Sequence, residues 1–543
     1  MEPGILRASP VPERSRARWL RVSLVLGVTT LALLLRWFRI GSDGLWIDEA
    51  FSVWLARQPL REMVSWVARV DHHPPLYYTL LHGWVDLLGP GQASVRFLSA
   101  LFGALTVPVI YALGRRLAGE RSGLTGALLL ALSPFHVRFS QEARMYALLT
   151  LFASLALWAF LRIYDRIFDR WTRPSPASTS PSPLPWIGYV IFTAAMLWTH
   201  NTAVFLPLTL NLFVLSRVVI ASRSLSWDRG RRSGFWLKSS PAPGLRRWFT
   251  AQAVLLLLWS PWLPSLASQA ADVYRRFWLP PPTPGTIVSI FGELLYAFSP
   301  WPFLVSVLVV LALAGLAVWG LWDLHRRTDH AGLLAALLML PLAGQALISL
   351  WRPILYARTV VWSAIPLYLM VAVGVSRLGI APFSPLTPRR VVPAALAILV
   401  AINAAALCHY YAAFEKEAWD DAADLVAQRV QPGDLLLFNG AWGQIPFDYY
   451  FARRYNPQLD PPVVAHGLPV DLFDRGVLEP RMTEDDLPRL HALVAGRDRV
   501  WLVYSHQWYT DPEGLVPPAL AAALNLQQTW TFKGLQVRLY VER

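Results

Sequence analysis

Residues 42–58 read SDGLWIDEAFSVWLARQ and follow almost directly on an apolar run, residues 19–38. The position of the Asp-Glu couple, Asp48 and Glu49, decides how the rest of the chain is read. A bilayer's hydrocarbon core is about 30 Å thick, so a helix needs about 20 apolar residues to cross it. The first run meets that length, is longer than a signal-peptide core and has no small-residue cleavage site, which marks it as a retained anchor. The loop after it therefore lies at a membrane surface. It runs on to DHHPPLYY, Asp71 to Tyr78, which adds two histidines and a cluster of aromatic rings. Carboxylates, imidazoles and aromatics gathered beside a bilayer point to chemistry at its surface.

Working outward, the 543-residue chain is 55% hydrophobic and 15% charged, with repeated apolar runs of spanning length. This composition predicts a mainly α-helical, polytopic transmembrane bundle. Eleven spans are expected, at 19–38, 95–114, 122–138, 145–163, 186–200, 203–219, 248–266, 301–322, 331–350, 359–376 and 391–409. A net charge of +14 would suggest nucleic acid in a soluble protein. Here the arginines fall in alternate loops, as the positive-inside bias requires. With the N-terminus inside, the inner loops carry Arg115, Arg116 and Arg121, then Arg162, Arg166, Arg170 and Arg173, the basic segment 217–247, Arg326 with Arg327, and Arg377, Arg389 and Arg390. No nucleic-acid partner is expected, and the setting is a cell (plasma) membrane crossed many times. The lone Cys408 excludes an intrachain disulfide and a multi-cysteine metal site.

Two apolar stretches, 76–88 and 286–298, would break the charge register if they crossed, so they are read as helices lying in the interface. Residues 172–185, TRPSPASTSPSPLP, read as a flexible inner linker. Hydropathy falls after about Tyr410. A helix is expected over 415–430, then a turn at 431–434, a buried strand at 435–438 and further strands at 500–504 and 536–541. The chain thus divides into a membrane domain, 1–409, with a catalytic first outer loop at 39–94, and a soluble α/β domain, 410–543. An odd number of spans puts that domain on the extracytoplasmic side.

On this topology one membrane face collects Asp48, Glu49, His72, His73, the segment Ser140 to Tyr146, His200, Asn201, Arg352, Tyr356 and Arg358. A hydroxyl is a poor nucleophile at neutral pH, and sugar or acyl transfer to it needs a placed carboxylate to remove its proton. Asp48 or Glu49 could serve. A departing phosphate monoester carries nearly two negative charges, which guanidinium and imidazolium groups would stabilise. Arg144, Arg358, His72 and His73 are the candidates. Each has a simpler reading: Asp-Glu as a solvated helix start, HHPP as a stiff turn, Glu142 and the arginines as boundary residues, His200 as a polar turn. Their coincidence on one face points to function.

The order of LRWFRIGSDGLWIDEA, HHPPLYYTLLHGW and RFLSALFGALTVPVIYALGRRLAGERSGLTGALLLALSPFHVRFSQEARMYAL resembles the GT-C membrane glycosyltransferases, in particular family 39, the protein O-mannosyltransferase and aminoarabinose-transferase group. The likeness covers roughly the first 160 residues; beyond them it is limited to the placement of WTHNTA, WSPWLP and RPILYARTV. The resemblance implies a polyprenyl-phosphate sugar donor, an extracytoplasmic site and a catalytic acid in the first outer loop. By position, Asp48 matches the family's acceptor-contacting aspartate, Glu49 orients the site, and His73 lies where relatives approach the lipid phosphate. Relatives place a second acidic residue after Ala-Arg-Pro, whereas this chain has Ala143-Arg144-Met145-Tyr146, and Glu142 is the substitute.

The expected reaction is an inverting sugar transfer to an acceptor hydroxyl, with Asp48 as base and Glu49 beside it. The expected substrate- and lipid-phosphate-binding set is His72, His73, Tyr77, Glu142, Arg144, Tyr146, His200, Arg352, Tyr356 and Arg358. No cofactor is required on this reading. Asp48, Glu49 and nearby histidines could bind a divalent ion, but two adjacent carboxylates are a weak ligand set, and metal independence is expected. Donor sugar, membrane lipid and an acceptor of unspecified type (protein, lipid or glycan) are the partners. The competing class is a transporter or lipid flippase, which would place charge near the midplane and show internal repeats. A degenerate member that only displays its C-terminal domain is the third possibility, and the intact Asp48-Glu49 pair argues against it.

Overall fold

Leucine-, alanine- and valine-rich runs that can satisfy their backbone internally fold as helices in lipid, because no water is present to bond a free N–H or C=O. In this computed structural model, residues 13–71, 73–172, 182–228, 242–276, 281–378, 388–455, 462–472, 474 and 480–543 are described. Among them nine helices are long and apolar enough to cross a membrane: Arg18–Trp37, Gln92–Ala118, Tyr146–Tyr164, Asn201–Ile220, Gly244–Gln269, Phe303–His325, His330–Ser349, Ala357–Arg377 and Arg390–Ala413. The protein is a multi-pass membrane protein. The other two expected spans form shorter helices, Glu120–Leu132 continued by Pro134–Ser140 after a Ser133 cap, and Leu184–Leu197. Most of the expected inner linker, 173–181, lies outside the described residues, as does His72.

The helices differ in how deeply they sit. In Ala357–Arg377, 94% of the apolar window is buried, against 6% for Arg18–Trp37, so the former is the bundle's centre and the latter its lipid-facing edge. The central helix crosses Phe303–His325 at two glycines. A Cβ on Gly320 would stand 2.0 Å from the Met370 carbonyl oxygen, and one on Gly374 2.0 Å from that of Leu316, so the backbones touch where side chains are missing.

The first loop is helical for much of its length: Ile47–Ala56, Leu60–Arg69 and Leu76–Leu88. The stretch expected at 286–298 forms Pro284–Leu295, begun by a Thr283–Thr286 capping box. The C-terminal domain holds a five-stranded sheet, β1 Leu435–Asn439, β2 Val464–Leu468, β3 Arg499–Ser505, β4 Asn525–Phe532 and β5 Leu535–Val541, in the order β2-β1-β3-β5-β4. The first three strands are parallel, and β5 and β4 run antiparallel beside them. The LLLFN run of β1 is buried throughout, as a parallel strand covered on both faces must be. Alternation then divides it. Leu435 and Leu437 join Val500 and Leu502 in one core, while Leu436 and Phe438 join Trp501, Val503 and the helices Trp419–Arg429 and Gln444–Phe451.

That second core is continuous with the core of the membrane bundle. Polar contacts fix the junction: the Tyr450 hydroxyl accepts the Leu45 N–H at 2.6 Å and meets Gln92 Oε1 at 2.9 Å, and the Tyr449 hydroxyl donates to the Pro90 carbonyl at 2.6 Å. The C-terminal domain is seated on the first loop, beside Asp48.

Candidate active site

Helix Ile47–Ala56 places Asp48 and Glu49 in its first turn, where unbonded N–H groups favour negative charge. Successive residues of a helix point about 100° apart, so the two carboxylates part ways. Glu49 turns inward and is 0% exposed. Its Oε1 accepts Arg96 Nε at 2.8 Å and the Ala143 N–H at 2.9 Å, while Oε2 accepts Arg96 Nη2 at 2.7 Å and Lys416 Nζ at 2.9 Å. Burial alone would raise its pKa, but Arg96 and Lys416, with these hydrogen bonds, outweigh it and hold the carboxyl at about 2. Arg96 also donates to the carbonyls of Ile40, Asp43 and Gly44 at 2.7–3.0 Å, pinning the chain just before the helix. With both oxygens taken, Glu49 is built to hold the loop.

Asp48 turns the other way, into a cavity of about 270 Å³, and its side chain is 25% exposed. Its Oδ2 accepts Arg358 Nη1 at 2.7 Å. Burial pushes this carboxyl up, but Arg358, then Arg144 and His73, outweigh that and hold it below the ordinary carboxylate value. From the membrane side the cavity is lined by Trp46, Asp48, Arg138, Glu142, Glu293, Tyr356 and Arg358. From the C-terminal domain come Trp442, His506, Trp508 and Tyr509, which roof it. Burial raises the carboxyls of Glu142 and Glu293, with the Arg138 guanidinium opposing it in each case. Arg138 approaches Glu142 Oε1 at 3.5 Å and lies against the rings of Phe139, Phe298 and Phe414 at 4.8–5.7 Å.

Under the cavity lies a buried polar layer. Arg144 Nη1 donates to the Asp48 carbonyl at 3.3 Å, Ser52 Oγ at 3.2 Å and the Tyr78 hydroxyl at 3.0 Å, and Nη2 approaches His73 Nδ1 at 3.4 Å. His73 Nδ1 is nearer Asp71 Oδ1, at 3.0 Å, so it is the donor in that pair, whose carboxyl His73 and Arg144 hold low against its burial. The His73 and His200 rings meet edge to face at 4.9 Å. Burial, followed by the nearby His73 and Arg144, keeps His200 well below the usual imidazole value. Its Nδ1 accepts the Thr202 N–H, so a neutral ring carries its proton on Nε2, which is buried without a hydrogen-bond partner among the described residues.

Of the residues singled out from the sequence, Asp48, Glu142, Tyr356 and Arg358 line the cavity. Glu49, His73, Arg144 and His200 form its supports. Tyr77 is buried with its hydroxyl on Ser99 Oγ at 2.9 Å, and Tyr146 is buried between Phe139 and His200. Arg352 lies on the loop before Tyr356 and is not among the lining residues. Sequence reasoning passed over Asp71, Arg96, Arg138, Glu293, Lys416 and the aromatic roof. Arg96 and Arg138 stand at the ends of the expected spans 95–114 and 122–138, where an arginine is ordinary; only Arg138, three residues before the polar QEARM run at 141–145, carries a local signal. No three His, Cys, Asp or Glu side chains come together as a metal site among the described residues.

The helical membrane bundle with its small C-terminal sheet domain is a GT-C fold, shared with solved membrane glycosyltransferases. The likeness extends to individual proteins. Residues 72–230 match the family model described as Dolichyl-phosphate-mannose-protein mannosyltransferase. The crystal structure of ArnT from Cupriavidus metallidurans bound to undecaprenyl phosphate superposes with a TM-score of 0.58 at 15% identity, covering 95% of this chain and 97% of that one. Its apo state gives 0.59 at 15% identity, covering 95% and 98%. Archaeal oligosaccharyltransferase AglB from Archaeoglobus fulgidus, in complex with an inhibitory peptide and a dolichol-phosphate, gives 0.56 at 13% identity, covering 97% of this chain and 74% of that one. Comparison with curated proteins by sequence returns no match. The chain is GT-C in fold and family 39-like over the matched segment.

Proposed function

We propose that this protein transfers a sugar from a polyprenyl-phosphate donor to an acceptor hydroxyl, on the extracytoplasmic side of the membrane and with inversion at the anomeric carbon. The observation that carries this reading is the pairing of Asp48 Oδ2 with Arg358 Nη1 at 2.7 Å inside the roofed cavity. A base for the acceptor and a cation for the leaving phosphate stand side by side. The GT-C likeness, with relatives solved bound to undecaprenyl phosphate or dolichol-phosphate, supports the choice of donor.

In the resting site Arg358 neutralises Asp48. A phosphate oxygen of the donor competes for the same guanidinium, and as Arg358 turns to it the Asp48 carboxylate regains basicity. Asp48 then takes the proton of the acceptor O–H as that oxygen attacks the anomeric carbon from the face opposite the phosphate. The bond from anomeric carbon to phosphate oxygen breaks with its electron pair leaving on the phosphate, through an oxocarbenium-like state. Arg358 meets the charge that develops, the buried Arg144 adds positive potential from below, and neutral His200 offers its Nε2–H as a donor. Glu49 holds the loop without touching substrate.

The test is release of free polyprenyl phosphate from a panel of polyprenyl-phosphate sugars by the purified protein in vesicles, with membrane extract supplying acceptor. Release from one donor, dependent on extract, is the expected result. Transport of an intact donor lipid with no release from any would replace this reading with the flippase one.

A further inference from the structure

The chain leaves the membrane helix Pro388–Ala413 and enters the C-terminal domain at Trp419 through a short non-helical segment, 414–418. Lys416 points down into the bundle: its Nζ donates to Glu49 Oε2 at 2.9 Å and approaches the Gln141 carbonyl at 3.3 Å, and its side chain is only 7% exposed. Glu417 points up: Oε1 faces His506 Nε2 at 3.2 Å, and Oε2 accepts Trp419 Nε1 at 2.6 Å. His506 holds a left-handed backbone, φ 50°, and packs on Trp442 with ring centroids 4.7 Å apart; both line the cavity roof. Two consecutive residues thus join the loop that carries the Asp-Glu couple to the surface that closes over it.

A connection that merely tethered two domains would need no buried ammonium, which loses its hydration on burial and must recover that loss from its partners. The partners of Lys416 lie on the two polypeptide segments that carry carboxylates lining the cavity: Glu49 is the neighbour of Asp48, and Gln141 that of Glu142. We propose that Lys416 is a positioning residue for Asp48, acting through Glu49, and that through it the seated C-terminal domain completes the geometry of the reaction centre. The inference rests on the transferase reading. It assigns to the domain a part in the chemical step, distinct from any part in choosing the acceptor.

The experiment is polyprenyl-phosphate release by the full-length protein in vesicles, comparing wild type, Lys416→Met, Lys416→Arg, Glu49→Gln and the Lys416→Met/Glu49→Gln double variant. Loss of the ammonium lets the loop shift, and misplacement by about 1 Å costs up to about a hundredfold in rate. The expected result is a kcat lowered about tenfold or more in Lys416→Met, at donor KM within about twofold of wild type, with Lys416→Arg restoring most of it. Because Lys416 acts through Glu49, the double variant should be no slower than the slower single one. Wild-type kcat in Lys416→Met would overturn the proposal, as would multiplying losses in the double variant. So would a loss that disappears when rates are corrected for the folded fraction, which is what a purely structural lysine gives. If Lys416→Met does not fold, Lys416→Gln takes its place with the same criteria. Absence of release by the wild type would overturn the transferase reading itself, and this inference with it.

Discussion

Glu49 and Arg96 show what one buried ion pair does at the residue scale. Breaking a buried pair by removing one partner costs about 3–5 kcal/mol where the other charge is stranded in low dielectric, and because Lys416 stays on Glu49 Oε2 the loss of Arg96 falls at the lower end, about 3 kcal/mol. Arg96→Met should therefore lower the unfolding free energy by about that amount and also abolish transfer, because the Asp48 loop loses its pin; a loss under about 1 kcal/mol would contradict the assignment. The pH dependence has a definite sign. The Glu49 carboxyl is depressed from 4.5 to about 2 in the folded protein, so its contribution is fully present above pH 4.5 and is lost as pH falls from there towards 2. Melting temperature should be insensitive to this group at neutral pH and fall across that acid window. Several residues of this network were legible in the sequence. Asp48, Glu142, Tyr356 and Arg358 stood out as polar groups gathered on one face, and all four line the cavity. Arg96, Arg138 and Lys416 did not, because a span-end arginine and a linker lysine look like topology signals until the fold brings Glu49 and Glu142 to them. Glu293, on a helix otherwise apolar, offered no partner in sequence.

At the scale of elements, the close crossing of Phe303–His325 with Ala357–Arg377 depends on absent side chains. Gly320→Ala would set a methyl 2.0 Å from the Met370 carbonyl, and backbone cannot yield as a flexible side chain can. The helices must separate, at a cost of about 1–3 kcal/mol. Since the second helix carries Arg358 near its start, Gly320→Ala should lower both the melting temperature and the release rate. A melting temperature equal to wild type would show that the crossing adjusts freely. Most spans were readable because long apolar runs in lipid have one solution. The strands were less so: β1, β3 and β5 are apolar or alternating, whereas β4, NLQQTWTF, is an edge strand exposed along most of its length and lacks the period that betrays a strand. β2 is five residues long with a glycine near its end. The helix Leu60–Arg69 was hidden in a loop noticed for its charges, although Met63 and Val67, one turn apart, form its buried face.

At the scale of the molecule, the membrane bundle and the C-terminal domain share one continuous core and enclose one cavity between them. Their contact is close at Gly44, where a Cβ would come within 2.6 Å of Asp420 Oδ1 and within 2.9 Å of its carboxyl carbon. Gly44→Val should therefore lift the domain from the loop. The expected sign is faster proteolytic cleavage at 414–418 together with reduced transfer, since local opening exposes that connecting segment; unchanged cleavage would show that the seat tolerates the added bulk. Position of charge also bears on the choice between transfer and transport. The acid–cation pair sits in a cavity at the junction of the two domains, where an acceptor can meet a lipid-borne sugar. The most direct test of the whole account compares Asp48→Asn with wild type in the polyprenyl-phosphate release assay, using the donor that wild type cleaves and measuring donor binding alongside. The account predicts release reduced about a hundredfold or more with donor binding retained, as for the loss of a general base. Release at the wild-type rate from Asp48→Asn would contradict it.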